Sequence, residues 1–381
     1  MRWFLVSTDF STRWARAEVH TGLIQHNVAI VKERIGSAQI WAVVKANAYG
    51  HGSIPVAQAA LAAGATGLCV AVVDEGVVLR RAGITAPILL LSEQPASLAE
   101  LIVGYELTPT VSTTRGAAVL ATAAATADKV VNVHIKVDTG MHRVGVSANE
   151  AVSLAQFVKS YESLSIEGLY THFAVADTPS HPANATQLTA FNEVVDAFTK
   201  AGIQPPLIHA ANSAAALSNA DTRFSMVRLG IAMYGLLPGP GVSEFCSGLI
   251  PAMSIKAKVS AVRWVDAGEA VSYGLHRPLE KSSLIATIPI GYADGVPRAL
   301  FGTGIKVLIH GVPRDIAGTV TMDQIMIDCG NDSSITVGDE VVLIGRQGDE
   351  VVTADQWAAA LGTIGYEIAC GIGARMYRNY L

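Results

Sequence analysis

The 381-residue chain is poor in cysteine and in charge, and both shortages limit what it can be. Its four cysteines, Cys69, Cys246, Cys329 and Cys370, stand far apart and form no C-x-x-C pair. This spacing favours structural thiols in a reduced cytoplasm over a disulfide framework. Charged residues are only 15% of the chain, against about 25% in an average soluble domain. The shortage indicates that a partner, most simply a second copy, covers part of the surface.

Long apolar runs and basic clusters are also missing. No segment approaches the ~20 apolar residues of a membrane span, and the apolar start at residues 3–6 is too short for a secretory signal. The net charge is −5 and the basic residues are scattered, which argues against nucleic-acid binding. His134, His142 and His181 are too dispersed for a metal site. We therefore expect a cytoplasmic protein without membrane, nucleic-acid or metal partners.

Short apolar strands alternate with longer helical stretches up to about residue 240. Candidate strands lie at 40–44, 67–72, 88–91, 106–111, 131–137, 166–172, 207–210 and 227–231. Candidate helices between them include 22–35, 54–63, 114–127, 149–159 and 185–201. Eight strands alternating with helices predict a parallel (β/α)8 barrel of the TIM type, an α/β fold.

The pattern changes after the Pro-Gly-Pro-Gly sequence at 238–241, which breaks any regular element. From Ile255 to Ala261 apolar and polar residues alternate, and similar alternation follows at 284–290, 306–310 and 322–328. Period two predicts a mostly antiparallel β domain. Thr353 and Gln356 form a capping-box signature for one helix within it. We therefore predict a barrel domain at 1–245 and a β domain at 246–381.

Lys45 directly follows the most continuous apolar strand, 40–44. Desolvation at that point would lower the pKa of the amine and make it a nucleophile suited to a Schiff base. The alternative is a lysine whose stem lies along the strand end while its amine reaches solvent. This window alone leaves both interpretations open.

Other polar residues also fall at the carboxyl ends of the predicted strands, where barrel enzymes have their active sites. They are Tyr49, Lys136, Asp138, Arg143, His172, His209, Asn212, Ser213 and Arg228. Each would be structural in most proteins, but their shared location favours a functional site. Ser213 and Gly230 would offer free backbone N–H groups to a phosphate. A lysine and a phosphate-binding site at the same end of the barrel indicate pyridoxal 5'-phosphate.

The string VVKANAYGHG at 43–52 resembles the cofactor-lysine signature of alanine racemases, a family of barrel-type pyridoxal-phosphate enzymes. The resemblance extends over most of the chain. It includes KVDTGMHR (136–143), THF (171–173), HAANS (209–213), VRLGI (227–231), VSYG (271–274), GYADG (291–295), MDQ (322–324) and GYE (365–367).

The resemblance implies a homodimer with shared active sites and two catalytic bases. Lys45 would bind the cofactor and act on one face of the substrate, and Tyr273 would reach the opposite face from the neighbouring subunit. His172 and Arg228 would favour the phenolate of Tyr273, with His209 as a further partner of the arginine. Arg228 would face the pyridine nitrogen, and a guanidinium does not give up its proton.

Further roles follow from the same resemblance. Arg143 and the backbone N–H of Met322 would bind the substrate carboxylate, and Lys136 stands where relatives often have a carbamylated lysine. The cofactor's phosphate shell would comprise Tyr49, Asn212, Ser213, Gly230, Ile231 and Tyr366, and the entrance Tyr292, Tyr366 and Asp323. Two departures are Thr321, where cysteine is common, and Thr319, where arginine is common.

The resemblance implies interconversion of L- and D-alanine, with D-alanine supplied to peptidoglycan. A serine or broad-specificity racemase is an alternative, because apolar pockets discriminate a near-isostere by only about a hundredfold. A barrel-type amino-acid decarboxylase is less consistent with Arg228 and with the segment around Tyr273, since a stronger electron sink needs a carboxylate at the ring nitrogen. A cofactor carrier without turnover would not need the second domain.

Overall fold

A computed structural model describes residues 12–381 of the chain, so the apolar stretch at residues 3–6 lies outside the described part. Its strands are β1 (Arg16–Val19), β2 (Gln39–Val43), β3 (Gly67–Val70), β4 (Ile88–Leu90), β5 (Thr110–Val111), β6 (Val131–Asp138), β7 (Val146–Ser147), β8 (Leu164–Tyr170), β9 (Leu207–His209), β10 (Met226–Leu229), β11 (Met253–Lys258), β12 (Ala261–Val265), β13 (Ser283–Ile288), β14 (Lys306–Ile309), β15 (Val312–Ile316), β16 (Ile325–Asp328), β17 (Glu340–Gln347), β18 (Glu350–Val352) and β19 (Tyr377–Tyr380).

The helices of the same residues are α1 (Thr21–Ile35), α2 (Lys45–Tyr49), α3 (Ser53–Ala62), α4 (Val73–Arg81), α5 (Ala99–Gly104), α6 (Thr114–Thr126), α7 (Ala151–Lys159), α8 (Pro182–Lys200), α9 (Ser213–Ser218), α10 (Ala354–Leu361) and α11 (Gly365–Cys370). Two compact units contain these elements. One comprises residues 22–250, and the other combines residues 12–21 with 251–381. Among the described residues, no helix has the length and apolar character to cross a membrane.

Residues 22–250 form a barrel of eight parallel strands, in two sheets with the orders β10-β2-β3-β4 and β5-β6-β8-β9. A parallel bridge between Leu89 and Thr108 links the sheets on one side. On the other side, backbone hydrogen bonds join β10 to the β9 region, from Ser225 N to Ile208 O and from Arg228 N to Ala211 O. The predicted (β/α)8 barrel is confirmed, and each of its eight strands overlaps a predicted one.

The barrel strands bury apolar residues along almost their full length, because helices cover their outer face and side chains fill the interior. The helices have one buried stripe each. In α7 the buried residues are Ala151, Leu154, Ala155 and Val158, at the spacing of three and four residues that a packed helix requires. The sequence analysis named no helix at α4, α5 or α9. Helices α5 and α9 have only six residues each, and α4 carries charges at both ends.

Residues 12–21 and 251–381 contain a ten-stranded, mostly antiparallel sheet with the main order β12-β13-β16-β15-β14-β17-β11-β1-β19. The predicted antiparallel β domain is confirmed. The alternation expected from 255 to 261 spans two strands, because β11 pairs with β17 whereas β12 pairs with β13. The sequence also missed β1, a four-residue strand that pairs with β11 and β19.

The predicted capping box lies at the amino terminus of α10. Thr353 Oγ1 accepts a hydrogen bond from the Gln356 amide at 3.0 Å, and Gln356 Oε1 accepts one from the Thr353 amide at 2.8 Å. Two otherwise unpaired donors of the first turn are thereby satisfied. The helix therefore begins where the sequence predicted it.

Candidate active site

Lys45 is the first residue of α2, separated from the end of β2 by one residue, and α2 is a left-handed turn rather than a right-handed helix. Ala46, Asn47, Ala48 and Tyr49 have φ angles between +51° and +54°, a conformation that costs L-residues about 1–2 kcal/mol each. Such strain persists only where surrounding structure imposes it, and it is typical of functional sites. No sequence pattern indicated this turn, since none of these four residues is glycine.

One carboxylate and one amide side chain hold the turn in place. Glu75 Oε1 accepts a hydrogen bond from the Ala46 amide at 2.6 Å, while its Oε2 accepts from the Ala71 amide at 2.8 Å. Asn47 Oδ1 accepts a hydrogen bond from the Ser53 amide at 2.9 Å. Glu75 thus ties the residue after Lys45 to the loop after β3. Sequence reasoning overlooked Glu75, whose only signal is its place in the first turn of a short helix.

The residues predicted for the phosphate shell of the barrel lie around Ser213. Its Oγ accepts hydrogen bonds from the amide of Gly230 at 2.9 Å and from that of Ala232 at 3.4 Å. The Gly230 amide is therefore paired, and it is not the free donor that the sequence suggested. Asn212 caps α9, because its Oδ1 accepts from the Ala215 amide at 3.0 Å. Ile231, also predicted for this shell, is buried.

Gly230 brings the backbone close to Tyr49. A Cβ built on Gly230 would lie 2.9 Å from the Tyr49 hydroxyl oxygen. Only glycine allows so close an approach, and such positions are typical where backbone meets a phosphate. Tyr49 also packs against Tyr234, with ring centroids 4.9 Å apart, and the hydroxyl of Tyr234 donates to the carbonyl of Val43 at 2.8 Å.

Arg228 is the buried centre of the network at the ends of β8, β9 and β10, and it is 3% exposed. Its Nη1 donates to His209 Nδ1 at 2.7 Å and its Nη2 donates to His172 Nδ1 at 3.1 Å. Nη2 also donates to the carbonyls of Thr171 and Ala210, each at 2.8 Å. The network therefore brings together the three side chains that the sequence assigned to one relay.

Both histidines of this network are neutral. Burial, followed by the positive charge of Arg228, holds the pKa of His172 well below its ordinary value. The same two causes act in the same order on the pKa of His209. Because a guanidinium can only donate hydrogen bonds, each imidazole must present an unprotonated Nδ1 to Arg228. The proton of His172 consequently lies on Nε2, the ring nitrogen that does not contact the arginine.

Tyr170, which sequence reasoning did not select, lies under this network. Its ring stacks on His209 with centroids 4.5 Å apart and planes 6° from parallel. Arg228 and Lys136 both face the ring, at 5.2 and 5.4 Å from its centroid, as cation–π partners. The available signal was its position, two residues before His172 in a predicted strand.

Lys136 is a second buried cation, 6% exposed, with Nζ 3.3 Å from the carbonyl oxygen of Leu91. Burial, then the charges of Arg228 and Arg143 in that order, lowers its pKa to about 7. Arg143 is exposed on the loop after β6. Asp138 organises this loop, since its Oδ1 accepts three backbone N–H groups between residues 140 and 142.

Gln187 of α8 fixes the loop that carries His172. It is 2% exposed; its Nε2 donates to the His172 carbonyl at 3.0 Å and its Oε1 accepts from the Ala174 amide at 2.9 Å. Sequence reasoning missed it, because a glutamine inside a helix carries no pattern of its own. The structure therefore adds Glu75, Tyr170 and Gln187 to the predicted residues of the barrel.

The remaining predicted residues belong to the unit with the antiparallel sheet. Tyr273 lies in a short 3-10 turn, Tyr273–Leu275, and is 72% exposed. Thr319 Oγ1 donates to the Tyr273 carbonyl at 2.8 Å, and Ser272 Oγ donates to the Thr319 carbonyl at 2.6 Å. Thr319, which the sequence marked as a departure, therefore fixes the backbone that carries the exposed phenol.

Met322, Tyr292 and Asp323 lie on neighbouring loops of the same unit. The amide of Ala293 donates to the Met322 carbonyl at 3.0 Å, which brings Tyr292 beside Met322; these two side chains are 42% and 51% exposed. Asp323 forms an ion pair of 2.7 Å with Arg375. Tyr366 lies in α11 and is half-buried.

The barrel residues fit pyridoxal 5'-phosphate. An aldehyde needs the primary amine that Lys45 supplies after the strand end. A phosphate needs hydroxyl groups and close backbone approach, which Tyr49, Ser213 and Gly230 supply. A pyridine nitrogen needs a polar partner, and Arg228 is a buried donor.

Comparisons with known proteins agree with this geometry. Residues 19–238 match the family model "Alanine racemase, N-terminal domain", and residues 252–380 match "Alanine racemase, C-terminal domain". An alanine racemase of Halothermothrix orenii is 44% identical over 97% of each chain, and one of Symbiobacterium thermophilum is 42% identical over 96% of each.

Solved structures are similar as well. The alanine racemase of Streptomyces coelicolor has a TM-score of 0.93 and 38% identity, covering 98% of this chain and 100% of the other. A histidine racemase of Leuconostoc mesenteroides has a TM-score of 0.90 and 31% identity, covering 97% of this chain and 98% of the other.

Proposed function

The chain belongs to the alanine racemase family of pyridoxal-phosphate-dependent isomerases, and from this premise we propose that it interconverts L- and D-alanine. The observation that carries the proposal is the barrel constellation of Lys45, Arg228 and neutral His172. When bound, pyridoxal 5'-phosphate withdraws electrons from the substrate and so acidifies its α-hydrogen. The residues of the chain must then remove that proton from one face and return one to the other.

We assign the two proton-transfer roles to Lys45 and Tyr273. Lys45 holds the cofactor and exchanges the α-proton on one face. Tyr273 acts on the opposite face, and its phenol has an unperturbed pKa of about 10, so it needs help to act as a base. The Nε2–H of His172, fixed by Arg228 on the other ring nitrogen, is a suitable donor to a phenolate.

We further propose that Tyr273 serves the active site of a neighbouring subunit in a homodimer. A phenol that is 72% exposed in a single chain supports this assignment, because its hydroxyl is accessible to a second copy of the chain. Met322 would act beside it through its backbone N–H, together with Arg143, on the substrate carboxylate. Tyr292, Tyr366 and Asp323 would narrow the entrance.

Arg228 favours racemisation over other reactions of the same cofactor. A guanidinium keeps its proton, so Arg228 would leave the pyridine nitrogen of a bound cofactor unprotonated, and the cofactor would supply a weaker electron sink. A weaker sink would favour return of a proton to the α-carbon over transamination. Arg228 donates its hydrogen bonds to carbonyls and neutral imidazoles, which do not compete for its proton.

We place the activity in the cytoplasm, where D-alanine would be made for peptidoglycan. All four cysteines are thiols, as is usual in a reducing compartment. The substrate is an amino acid in every relative named above, alanine in most and histidine in one.

The decisive experiment measures exchange of the α-hydrogen in heavy water for alanine, serine and histidine, followed by chiral analysis. We expect the highest kcat/KM for alanine, and equal amounts of both enantiomers at equilibrium from either starting form. Faster turnover of serine or histidine would reassign the substrate. Exchange without inversion would contradict a racemase.

Lys45→Ala tests the cofactor assignment in the same assay. We expect the variant to lose racemisation, the visible absorbance of the bound cofactor, and the cofactor that borohydride reduction attaches permanently to the wild-type protein, because the covalent link needs the amine. Lys32→Ala, at an exposed lysine of α1, is the matched control and should keep both. Borohydride-fixed cofactor in Lys45→Ala would contradict the assignment.

A further inference from the structure

The hydrogen-bond network of Arg228 continues beyond the residues assigned so far, through His134 to Glu167. His209 Nε2 lies 2.9 Å from His134 Nδ1, and His134 Nε2 lies 3.2 Å from Glu167 Oε2. His134 and His209 are fully buried, whereas the Glu167 side chain is 21% exposed. The network therefore connects the barrel interior to a carboxylate that reaches water.

The donor and acceptor properties of these side chains allow only one direction for the hydrogen bonds of the network. Arg228 can only donate, so His209 accepts at Nδ1 and holds its proton on Nε2. That proton is donated to His134 Nδ1, which must be unprotonated, so His134 holds its own proton on Nε2. The carboxylate of Glu167 can only accept. Each step therefore donates outward, from the arginine to the glutamate.

The charge states of the two imidazoles agree with this direction. Burial lowers the pKa of His134, and the charge of Glu167 only partly offsets that effect. Burial and the charge of Arg228 hold the pKa of His209 well below its ordinary value. Both rings are therefore neutral and carry one proton each, as a one-way chain of donors requires.

A β-bulge positions Glu167. Along β6 and β8, Val133 pairs with Ile166 whereas His134 pairs with Gly168, so Glu167 is the extra residue. Bulges re-aim side chains, and they are frequent beside active sites. Gly168 completes the arrangement, because a Cβ there would lie 2.3 Å from His134 Nδ1. The backbone of β8 is thus shaped for both His134 and its carboxylate partner.

The direct hydrogen-bond partners of Arg228 carry no negative charge, since they are two neutral imidazoles and two carbonyls. The side chains whose charge or polarity acts on this region come from several elements. They are Lys45 of α2, Cys69 of β3, Lys136 and Asp138 of β6, Arg143 of the loop after β6, and Tyr170 and His172 at the end of β8. Lys45, Lys136 and Arg143 are cations. Asp138 is an anion, but it accepts hydrogen bonds from the backbone of the loop that follows it, whereas Glu167 is the carboxylate that the hydrogen-bond network reaches.

We propose that Glu167 is a positioning residue of this site, the final acceptor of a donor chain from Arg228 through His209 and His134. By fixing the tautomer of both histidines, the carboxylate keeps an acceptor in front of Arg228 and so keeps the guanidinium oriented and cationic. The proposal rests on the proposed function, since it explains how Arg228 is held for racemisation.

Neutron diffraction from crystals of the cofactor-loaded, perdeuterated protein tests the chain without substrate. We expect deuterium on Nε2 of both His209 and His134 and none on their Nδ1 atoms. Deuterium on His134 Nδ1 would break the chain and overturn the proposal. This result does not depend on which amino acid the enzyme accepts.

Glu167→Gln tests the charge, because glutamine keeps the shape and an acceptor oxygen. Loss of a nearby anion disfavours the protonated, cationic form of the groups around it. Both apparent pKa values in the pH profile of kcat/KM, on its acidic and its basic side, should therefore fall by about half a unit to one unit. Glu162→Gln, which removes the same charge at an exposed position, should shift neither. A Glu167→Gln profile that superimposes on the wild-type profile would overturn the proposal, whereas inactive wild-type protein would refute the proposed function instead.

Discussion

Lys136 lies in the barrel interior, with its amine facing the ring of Tyr170 and 3.3 Å from the Leu91 carbonyl oxygen. Its pKa falls from an ordinary value of 10.5 to about 7, mainly through burial and then through Arg228 and Arg143. Such an amine is half neutral near pH 7. A neutral amine is the form that reacts with carbon dioxide, so this pKa is compatible with the carbamylation hypothesised for Lys136 from the sequence.

The same shift makes the stability of the fold depend on pH. Between pH 7 and 10.5 the unfolded chain binds the Lys136 proton and the folded chain does not, so the free energy of unfolding rises with pH in that window. Below about pH 7 the amine is protonated in both states, and the folded chain bears the full cost of burying its charge. We expect the wild-type protein to gain about 1.4 kcal/mol per pH unit relative to Lys136→Met, which cannot titrate.

Urea unfolding of both proteins in carbon-dioxide-free buffers, from about pH 6 to about pH 10, measures this difference. Carbon dioxide must be absent because a carbamate would remove the titrating amine. Lys129→Met, at an exposed lysine paired with Glu106, serves as the control and should give a nearly flat difference. A flat difference for Lys136→Met as well would show that its amine titrates as it does in water.

At the scale of elements, the Tyr273 turn depends on its neighbours. Ser272, Gly274 and Leu275 have φ angles of +71°, +79° and +43°, which for the two non-glycine residues are strained. The hydrogen bonds of Ser272 and Thr319, together with the bridge between Val271 and Gly318, hold this backbone. The turn is therefore stabilised from outside rather than by its own sequence.

Thr319→Val tests that dependence. Valine keeps the volume and removes the donor to the Tyr273 carbonyl, so we expect about 1 kcal/mol lower stability and a several-fold lower kcat with unchanged cofactor absorbance. Thr303→Val is the control, since its hydroxyl donates to the Leu300 carbonyl at 2.7 Å in a separate turn; it should lower stability alone. Equal kcat values for the two variants would mean that Thr319 does not position Tyr273.

At the scale of the whole molecule, the two proposed bases reside in different compact units, and Tyr273 is largely exposed in one chain. If each active site combines Lys45 of one subunit with Tyr273 of its neighbour, two inactive variants can complement each other. A dimer of one Lys45→Ala chain and one Tyr273→Ala chain then contains one intact site and one site that lacks both bases.

Mixing the two variants under conditions of subunit exchange should restore roughly a quarter of wild-type activity, since half of the dimers are hybrids and half of their sites are intact. The double variant, mixed with either single variant, forms no intact site and controls for residual activity. Capture through two different affinity tags verifies exchange. Verified exchange without recovery would assign both bases to one chain.

The sequence by itself determined the type of secondary structure and sheet in each of the two regions. The eight barrel strands are continuous apolar runs because helices cover them, and the β domain alternates because one face of its sheet meets water. Lys45, His172, His209 and Arg228 were found from position alone, since parallel strands end at the same rim.

The tertiary structure decided what no local pattern contains. The left-handed turn after Lys45 is held by Glu75, which lies in α4. The direction of the hydrogen bonds in the Arg228 network depends on His209 and His134, which are 19 and 94 residues from Arg228 in the sequence. Hydrogen-bond direction and backbone strain are properties of neighbours in space. A sequence indicates which groups meet at a rim, but only packing fixes which atom donates to which.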